Sequence, residues 1–204
     1  IVLVTIMYFR NWSVTSLLSM LLLIFFVIFI YKKNIKEKIF NYRNYIIIGL
    51  ILFLLIVVFR VQNNFKDIIE NVLKKSVDFT GRTAIWDRCI EFIKQNPILG
   101  LGTDNFELRL NNIGIFHAHC LYLNILLEGG VVAFLLFYNI FITINRKIKK
   151  VKTCEIKKMI SFAFLIYFVS GIVEVYQDSQ LIYVFIIMAY FIEDFFKSSD
   201  KEVV

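Results

Sequence analysis

The sequence predicts an all-α polytopic membrane protein, a transmembrane helix bundle with one large extracytoplasmic loop that contains amphipathic helices. The 204-residue chain is 59% hydrophobic and 17% aromatic, whereas soluble domains are about 45–50% apolar. Nearly uncharged apolar runs of about 18 or more residues recur along it, and runs of this length are typical of membrane helices. Lipid offers no hydrogen-bond partners to the backbone, and a helix pairs its backbone groups internally.

Residues 1–59 are predicted to form transmembrane helices, the first of them truncated. The sequence opens inside an apolar run at residues 1–9, so we expect it to be the C-terminal portion of a protein with earlier spans. Further spans are predicted over residues 13–31 and 45–59. The loop between them, residues 32–44, carries five Lys or Arg residues against one Glu.

Residues 60–118 are predicted to form an extracytoplasmic loop that carries catalytic residues. Apolar residues recur at helical spacing over residues 65–73 and 85–93, which predicts two amphipathic helices at the mouth of the bundle. The second helix is expected to end at Asn96-Pro97. A turn is predicted at Gly100 and Gly102, and the candidate cap of a short helix after it is Thr103 or Asp104.

Residues 119–196 are predicted to form three transmembrane helices, and residues 197–204 a cytoplasmic tail. A basic loop at residues 145–158 follows the first of these helices and carries seven Lys or Arg residues against one Glu. A short polar turn at residues 176–178 joins the last two. The predicted spans are 120–144, 159–175 and 181–196.

The two short basic loops determine the predicted orientation. Positively charged loops remain in the cytoplasm, so residues 32–44 and 145–158 are expected inside. Strict alternation of spans then places Arg10, the 60–118 loop and the 176–178 turn on the extracytoplasmic side. Because the net charge of +7 arises from these short loops, we expect the lipid bilayer as a partner and no nucleic acid.

His119 is the first candidate catalytic residue, because it is predicted to precede a helix that enters the membrane. The positive end of a helix dipole disfavours a cation, so the imidazole is expected to be neutral near pH 7 and able to accept a proton. An interfacial histidine without a chemical role is the alternative. His117 is a possible supporting residue, but without an apparent third ligand no metal site is expected.

Arginines on the predicted outside form the candidate phosphate-binding set. A guanidinium binds two phosphate oxygens at once and stays charged near lipid. Arg82 follows a glycine and precedes a helix, and Arg10 lies at a membrane edge, where a lipid-linked phosphate would lie. Arg60 is a possible supporting residue. For each of them, contact with lipid headgroups or a surface ion pair is the alternative.

Acidic residues in or beside the spans are the third group. Glu128, a possible supporting residue, lies about nine residues into the helix after His119, and Glu174 lies at the outer end of another span. Charges there are costly and usually face a cavity or a partner. Each acid therefore either supports catalysis or pairs with an arginine that holds the bundle together.

The cysteines and the missing nucleotide motifs narrow the chemistry. Cys89, Cys120 and Cys154 lack metal-ligand spacing, so unpaired thiols are expected, with a disulfide between Cys89 and Cys120 as the alternative. The sequence has no Walker loop, no dinucleotide-binding glycine motif and no paired-aspartate metal motif. A nucleotide-sugar transferase would usually need a metal-holding acidic pair, which the outside loop lacks, and the energy stored in a lipid-linked donor would remove the need for a nucleotide.

Four segments stand in order along the chain: Tyr8-Phe9-Arg10-Asn11; Gly81-Arg82 with Trp86; Pro97 with Gly100-x-Gly102; and His119 with Leu123 and Glu128-x-Gly130. Together they resemble the O-antigen ligase and O-antigen polymerase family of bacterial envelope glycosyltransferases. The resemblance covers nearly the whole chain as the family's C-terminal portion. The chain departs from the family pattern at Cys120, where Asn is usual, and at Phe9-Arg10-Asn11, where Ser-Arg-Gly is usual.

The resemblance implies a multi-pass glycosyltransferase of the bacterial inner (plasma) membrane with an extracytoplasmic active site. It would transfer or polymerise oligosaccharide repeat units of O-antigen, capsule or exopolysaccharide from undecaprenyl diphosphate to a glycan acceptor. His119 would take the proton of the acceptor hydroxyl, and Arg82 with Arg10 would hold the diphosphate and stabilise its charge. The resemblance implies no metal and no soluble cofactor, and inversion at the anomeric carbon.

Three alternatives stay open at this point. Within the same class, the protein would be an O-antigen ligase that acts on lipid A core or on protein. In a different class, it would be a polysaccharide or lipid transporter whose acids and arginines line a pathway, although the paired repeats frequent in transporters are not apparent. The third alternative is a degenerate structural subunit, which Cys120 suggests.

Overall fold

The computed structural model describes residues 24, 28, 42–72, 76–79, 81–102, 117–151, 154–175 and 180–199. Within these residues the chain consists of helices and connecting loops, without a strand. The α-helices are α1 (Tyr42–Phe53), α2 (Arg82–Gln95), α3 (Leu121–Ile148), α4 (Cys154–Ser170) and α5 (Gln180–Ser199).

Several predicted features lie outside the described residues. They are Arg10 and its neighbours in the family pattern, the first complete span apart from residues 24 and 28, the candidate caps Thr103 and Asp104, and the 176–178 turn. The predictions for these segments therefore stay predictions.

The first described helical segment matches the apolar run predicted over residues 45–59. Helix α1 continues directly into a π-helical turn, Leu54–Val58, so the chain is helical from residue 42 to residue 58. The amphipathic helix predicted over residues 65–73 is instead a 3-10 turn, Val61–Phe65, followed by a π-helical turn, Ile68–Val72. Phe65 and Ile68 are more than half exposed, so burial in the bundle does not enforce a regular helix there.

Helix α2 confirms the second amphipathic helix of the loop. It begins at Arg82, directly after Gly81 in a left-handed conformation (φ 85°), and its C-terminal cap is Asn96, where the sequence predicts the end. Trp86 and Cys89, three residues apart on one face, are its buried side chains. The apolar residues whose spacing predicted the helix therefore include the side chains that it buries.

The core lies where α1, α3 and α4 meet. The ring of Phe141 on α3 lies 5.2 Å from that of Phe164 and 4.9 Å from that of Phe168 on α4. The Tyr122 hydroxyl donates a hydrogen bond to the Phe168 carbonyl at 2.7 Å. A Cβ atom at Gly49 would lie 2.6 Å from that hydroxyl, so only a glycine lets α1 approach this closely.

Among the described helices, α3 alone is both long and apolar enough, by length and composition, to cross a membrane. The helical stretch from residue 43 to residue 58 is apolar but shorter. Large apolar side chains nevertheless cover much of the outside of the bundle. Those at least 40% exposed include Ile47, Ile48 and Ile51 on α1, Leu135, Leu136 and Ile140 on α3, and Val184, Ile187 and Met188 on α5.

Helix α3 is not the continuous span that the sequence predicts over residues 120–144. It is interrupted at Gly130, whose backbone angles (φ 61°, ψ −160°) are not helical. This combination is accessible essentially to glycine alone. Glu128, predicted to lie within a regular helix, therefore lies immediately before a break.

Candidate functional site

Three separate segments meet at one end of the bundle. The Leu121 backbone amide, at the start of α3, donates to the carbonyls of Gly171 (2.7 Å) and Glu174 (3.1 Å), just after α4. Arg82, the first residue of α2, donates from one guanidinium nitrogen to the Val173 carbonyl and from the other to Glu174 Oε1 at 3.3 Å. These bonds bring the start of α2, the start of α3 and the end of α4 together.

The two histidines lie side by side in the short segment that precedes α3. Their ring centroids are 4.1 Å apart in an edge-on arrangement, and the His119 backbone amide donates to His117 Nδ1 at 3.3 Å. His119 has a left-handed backbone (φ 49°), and Cys120 after it is the extended N-terminal cap of α3. The sequence prediction that His119 immediately precedes this helix is confirmed.

The environment of His119 lowers the pKa of its imidazole below the usual 6.5. Partial burial is the largest cause, and electrostatic interactions with His117 and Arg82 lower the pKa further, whereas the interaction with Glu174 raises it. The predicted direction is therefore confirmed, but burial rather than the helix dipole is the main cause. Arg82 and Glu174 thus both affect the charge equilibrium of the imidazole.

Arg82 has an acidic partner, as one of the two sequence interpretations of Glu174 required. Its side chain is 24% exposed and that of Glu174 is 32% exposed, so solvent reaches both members of the ion pair. An anion that entered this end of the bundle would therefore meet a guanidinium that is already oriented by the Val173 carbonyl.

Arg60 also contacts α2. Its Nη2 atom lies 2.6 Å from Asp87 Oδ1 and 3.1 Å from the Thr83 carbonyl, and its guanidinium lies over the Trp86 ring at 5.1 Å. These contacts anchor the helix that carries Arg82 to the end of α1. The structure thus brings Arg60 to α2, and its supporting role in catalysis stays a prediction.

Asn124, which the sequence interpretation overlooked, lies beneath the histidine segment. Its Oδ1 atom accepts a hydrogen bond from the Ala118 amide at 3.1 Å, and its Nδ2 atom donates to Glu128 Oε1 at 2.9 Å. Asn124 is 1% exposed. The available sequence signal was a lone amide in an apolar helical stretch, four residues before Glu128, the spacing at which helix side chains meet.

The turn at residues 97–102 fills the break in α3, a relation that the sequence interpretation also overlooked. The amides of Leu101 and Gly102 donate to the carbonyls of Leu127 and Glu128, both at 2.8 Å. In the reverse direction, Val131 and Val132 donate to the carbonyls of Pro97 and Ile98: these bonds are 2.9 and 3.2 Å long. Backbone groups that the interrupted helix leaves unpaired are thus satisfied by the loop, as buried polar groups require.

The cysteine side chains that the structure describes are those of Cys89 and Cys120. Cys89 and Cys120 are both free and buried, so the alternative of a disulfide between them is wrong. Burial raises the pKa of Cys89 to about 12, which keeps this thiol protonated. Among the described residues, no three His, Cys, Asp or Glu side chains form a group that could hold a metal ion.

Comparison with known proteins adds one finding. The family model described as O-antigen ligase matches residues 1–138. The match includes Arg10, Arg60, Arg82, both histidines and Glu128. No curated protein and no solved structure matches the chain significantly.

Proposed function

The chain belongs to the O-antigen ligase family, and from this premise we propose that it is a metal-independent integral-membrane glycosyltransferase. It transfers or polymerises oligosaccharide repeat units carried on undecaprenyl diphosphate. The observation that carries the proposal is that Arg82 pairs with Glu174, whose carbonyl accepts the amide of Leu121, two residues after His119. A base for a sugar hydroxyl and a cation for a departing diphosphate are the two groups that this reaction needs.

The proposed setting is a multi-pass bundle in the bacterial plasma membrane, with residues 60–118 on the extracytoplasmic side. The length and composition of α3 and the apolar exterior of α1, α3 and α5 support this setting. The orientation follows from the basic loops at residues 32–44 and 145–158, because such loops remain in the cytoplasm. The donor's diphosphate would then lie at the level of the histidine segment.

In the proposed reaction, His119 accepts the proton of the acceptor hydroxyl while the hydroxyl oxygen attacks the anomeric carbon of the donor. The bond from that carbon to the diphosphate oxygen breaks, and the diphosphate leaves with the electron pair. Arg82, with Arg10, stabilises the charge that the leaving group gains. The ion pair with Glu174 keeps the Arg82 guanidinium in place before the donor arrives.

Polymerisation and ligation differ only in the acceptor. A polymerase uses a sugar hydroxyl of another lipid-linked repeat unit, and a ligase uses lipid A core or protein. The description of the matching family favours ligation as the second candidate. Both reactions use the same base and the same cation, so the tests of His119 and Arg82 apply to either.

The first test is His119→Asn in the full-length protein. Asn accepts the left-handed backbone of this position more readily than Ala does, so the substitution removes the base with little change in conformation. We expect glycan transfer to fall about 10²–10⁴-fold, with normal protein levels in the membrane, as measured by the length distribution of cellular glycans. An unchanged distribution would exclude the base role.

The second test is Arg82→Lys, with Arg88→Lys on the same helix as the matched control. Lys keeps the charge but lacks the two-pronged geometry of the guanidinium. We therefore expect the Arg82→Lys variant to lose glycan transfer. Arg88 is exposed, and its replacement is expected to leave transfer intact. Equal activity of the two variants would argue against diphosphate binding by Arg82.

A further inference from the structure

The segment that presents His119 needs support from its surroundings. Residues 117–119 are not helical, and a left-handed non-glycine residue persists only where its neighbours impose that conformation. Immediately before His119 in the chain, the Ala118 amide donates a hydrogen bond to Asn124 Oδ1 at 3.1 Å. Ala118 is fully buried and Asn124 is 1% exposed, so water does not compete for this bond.

The orientation of the Asn124 amide is set by Glu128. A carboxylate only accepts hydrogen bonds, whereas an amide group both donates and accepts. Because Glu128 Oε1 lies 2.9 Å from Asn124 Nδ2, the NH₂ group must face Glu128 and the oxygen must face Ala118. A flipped amide would oppose donor to donor at Ala118 and acceptor to acceptor at Glu128.

Glu128 is in turn held by the loop. Its carbonyl accepts the Gly102 amide at 2.8 Å, at the last turn before the break at Gly130. The spacing of four residues from Asn124 to Glu128 lies wholly before this break, so the two side chains keep their helical geometry. A continuous path of hydrogen bonds thus runs from the 97–102 turn through Glu128 and Asn124 to Ala118.

We propose that Asn124 and Glu128 are positioning residues, which hold the backbone between His117 and His119 in the conformation that presents the His119 imidazole. The inference rests on the proposed function, because it assigns the base a fixed position. Neither residue needs to touch the substrate. Their loss should therefore reduce kcat while leaving the KM for the lipid-linked donor nearly unchanged.

The decisive experiment exchanges the two side-chain chemistries. Asn124→Asp alone removes the donor to Glu128 and places two carboxylates against each other. It should lower kcat about 10- to 100-fold, the loss expected when a buried hydrogen bond is lost and its acceptor is left unpaired. The double variant Asn124→Asp/Glu128→Gln restores the pattern, because the new carboxylate accepts from both Ala118 and the new amide. Glu128→Gln alone keeps an acceptor for Asn124 and should be the milder single variant.

A second measurement, which does not depend on the reaction, is hydrogen–deuterium exchange of the peptide that contains Ala118 in the full-length protein. Repulsion from the Glu128 carboxylate should push the new aspartate side chain at position 124 away from the Ala118 amide, so Asn124→Asp should accelerate exchange there. The double variant removes this repulsion and should slow exchange again. The inference is overturned if Asn124→Asp leaves this exchange unchanged. It is also overturned if the double variant shows neither slower exchange nor a higher kcat than Asn124→Asp. A double variant with slow exchange but without recovery of kcat would overturn it as well.

The two proposals fail in different ways. Full glycan transfer by His119→Asn would refute the proposed function, whatever the exchange measurements show. Loss of transfer in His119→Asn together with wild-type kcat in Asn124→Asp would refute only the positioning role. Because a buried Asp can lower stability, the double variant is the arm that separates misfolding from misplacement of His119.

Discussion

At the scale of the residue, His119 combines a constrained backbone with an imidazole that favours the neutral form. A non-glycine residue in the left-handed region costs about 1–3 kcal/mol, which the surrounding contacts must supply. Hydrogen bonds on both sides do so, from the Ala118 amide to Asn124 and from the Leu121 amide to the end of α4. The position of the candidate base is thus imposed by its neighbours.

The lowered pKa of His119 leads to a prediction about pH. Because the pKa lies below 6.5, the base form persists below pH 6.5, and activity is lost only as the pH falls through the lowered value. His117→Asn removes one of the electrostatic interactions that lower the pKa of His119. We therefore expect an acid limb of kcat/KM below pH 6.5, and a shift of that limb to higher pH in the variant.

The measurement is transfer by the purified full-length protein in proteoliposomes with a lipid-linked repeat unit, since kcat/KM reports the titration of the free enzyme. The Arg88→Lys variant, with its change on the exposed part of α2, should keep the wild-type profile. An acid limb above pH 6.5, or a downward shift in His117→Asn, would contradict the assignment of the base.

Parts of this site were accessible from the sequence. A neutral imidazole before a helix and an arginine paired with an acid were both among the interpretations of the pattern. The main cause of the pKa shift was not, because burial of His119 depends on packing. The ion pair between Arg82 and Glu174 joins residues far apart in the chain, and local spacing gives no information about such pairs.

At the scale of the element, the important feature is the join between the broken helix α3 and the 97–102 turn. Four backbone hydrogen bonds cross it, and two glycines permit it. A Cβ atom on Gly100 would lie 2.6 Å from the carbonyl carbon of Glu128, and Gly130 has backbone angles reserved for glycine. The Gly100-x-Gly102 and Glu128-x-Gly130 segments of the sequence pattern thus form the two sides of one contact.

Gly100 and Gly102 allow a matched test of this contact. Both have positive φ, 66° and 80°, but a Cβ atom on Gly102 would meet nothing within 4 Å. Gly102→Ala should therefore cost only the backbone strain, about 1–2 kcal/mol. Gly100→Ala should cost about 1–3 kcal/mol more, because it also forces a steric clash.

Thermal unfolding of the purified full-length protein in detergent measures the difference, and the Gly100→Ala midpoint should lie clearly below that of Gly102→Ala. Equal midpoints would show that the close approach to Glu128 does not contribute to stability.

Helix positions were more predictable than helix regularity. The apolar runs and the spacing in α2 predicted where the described helices lie to within several residues, because burial periodicity is local information. The break at Gly130 was not predicted, since it is stable only with the 97–102 turn bound to its exposed backbone groups. The irregular turns at residues 61–72 are mostly exposed in the described part of the structure, and the spacing of apolar residues does not report exposure.

At the scale of the whole molecule, each end of the bundle carries its own group of charged residues. Arg60, Arg82 and the histidine segment lie at the end where α3 begins. At the other end of α3, Lys147 lies 3.7 Å from Asp194 and Lys150 lies 3.6 Å from Glu193. These pairs join the C-terminal ends of α3 and α5, next to the basic loop that is expected in the cytoplasm.

This separation makes the proposed orientation testable by thiol labelling of intact cells. Ser76 and Lys149 are exposed at the two ends, so Ser76→Cys should react with a membrane-impermeant maleimide, and Lys149→Cys only after the membrane is permeabilised. Cys89, buried with its pKa raised to about 12, and buried Cys120 should react slowly and can remain, whereas Cys154 is replaced by Ser. If Lys149→Cys reacts first, or both react equally in intact cells, the candidate base and cation do not face the compartment in which a lipid-linked donor would meet them.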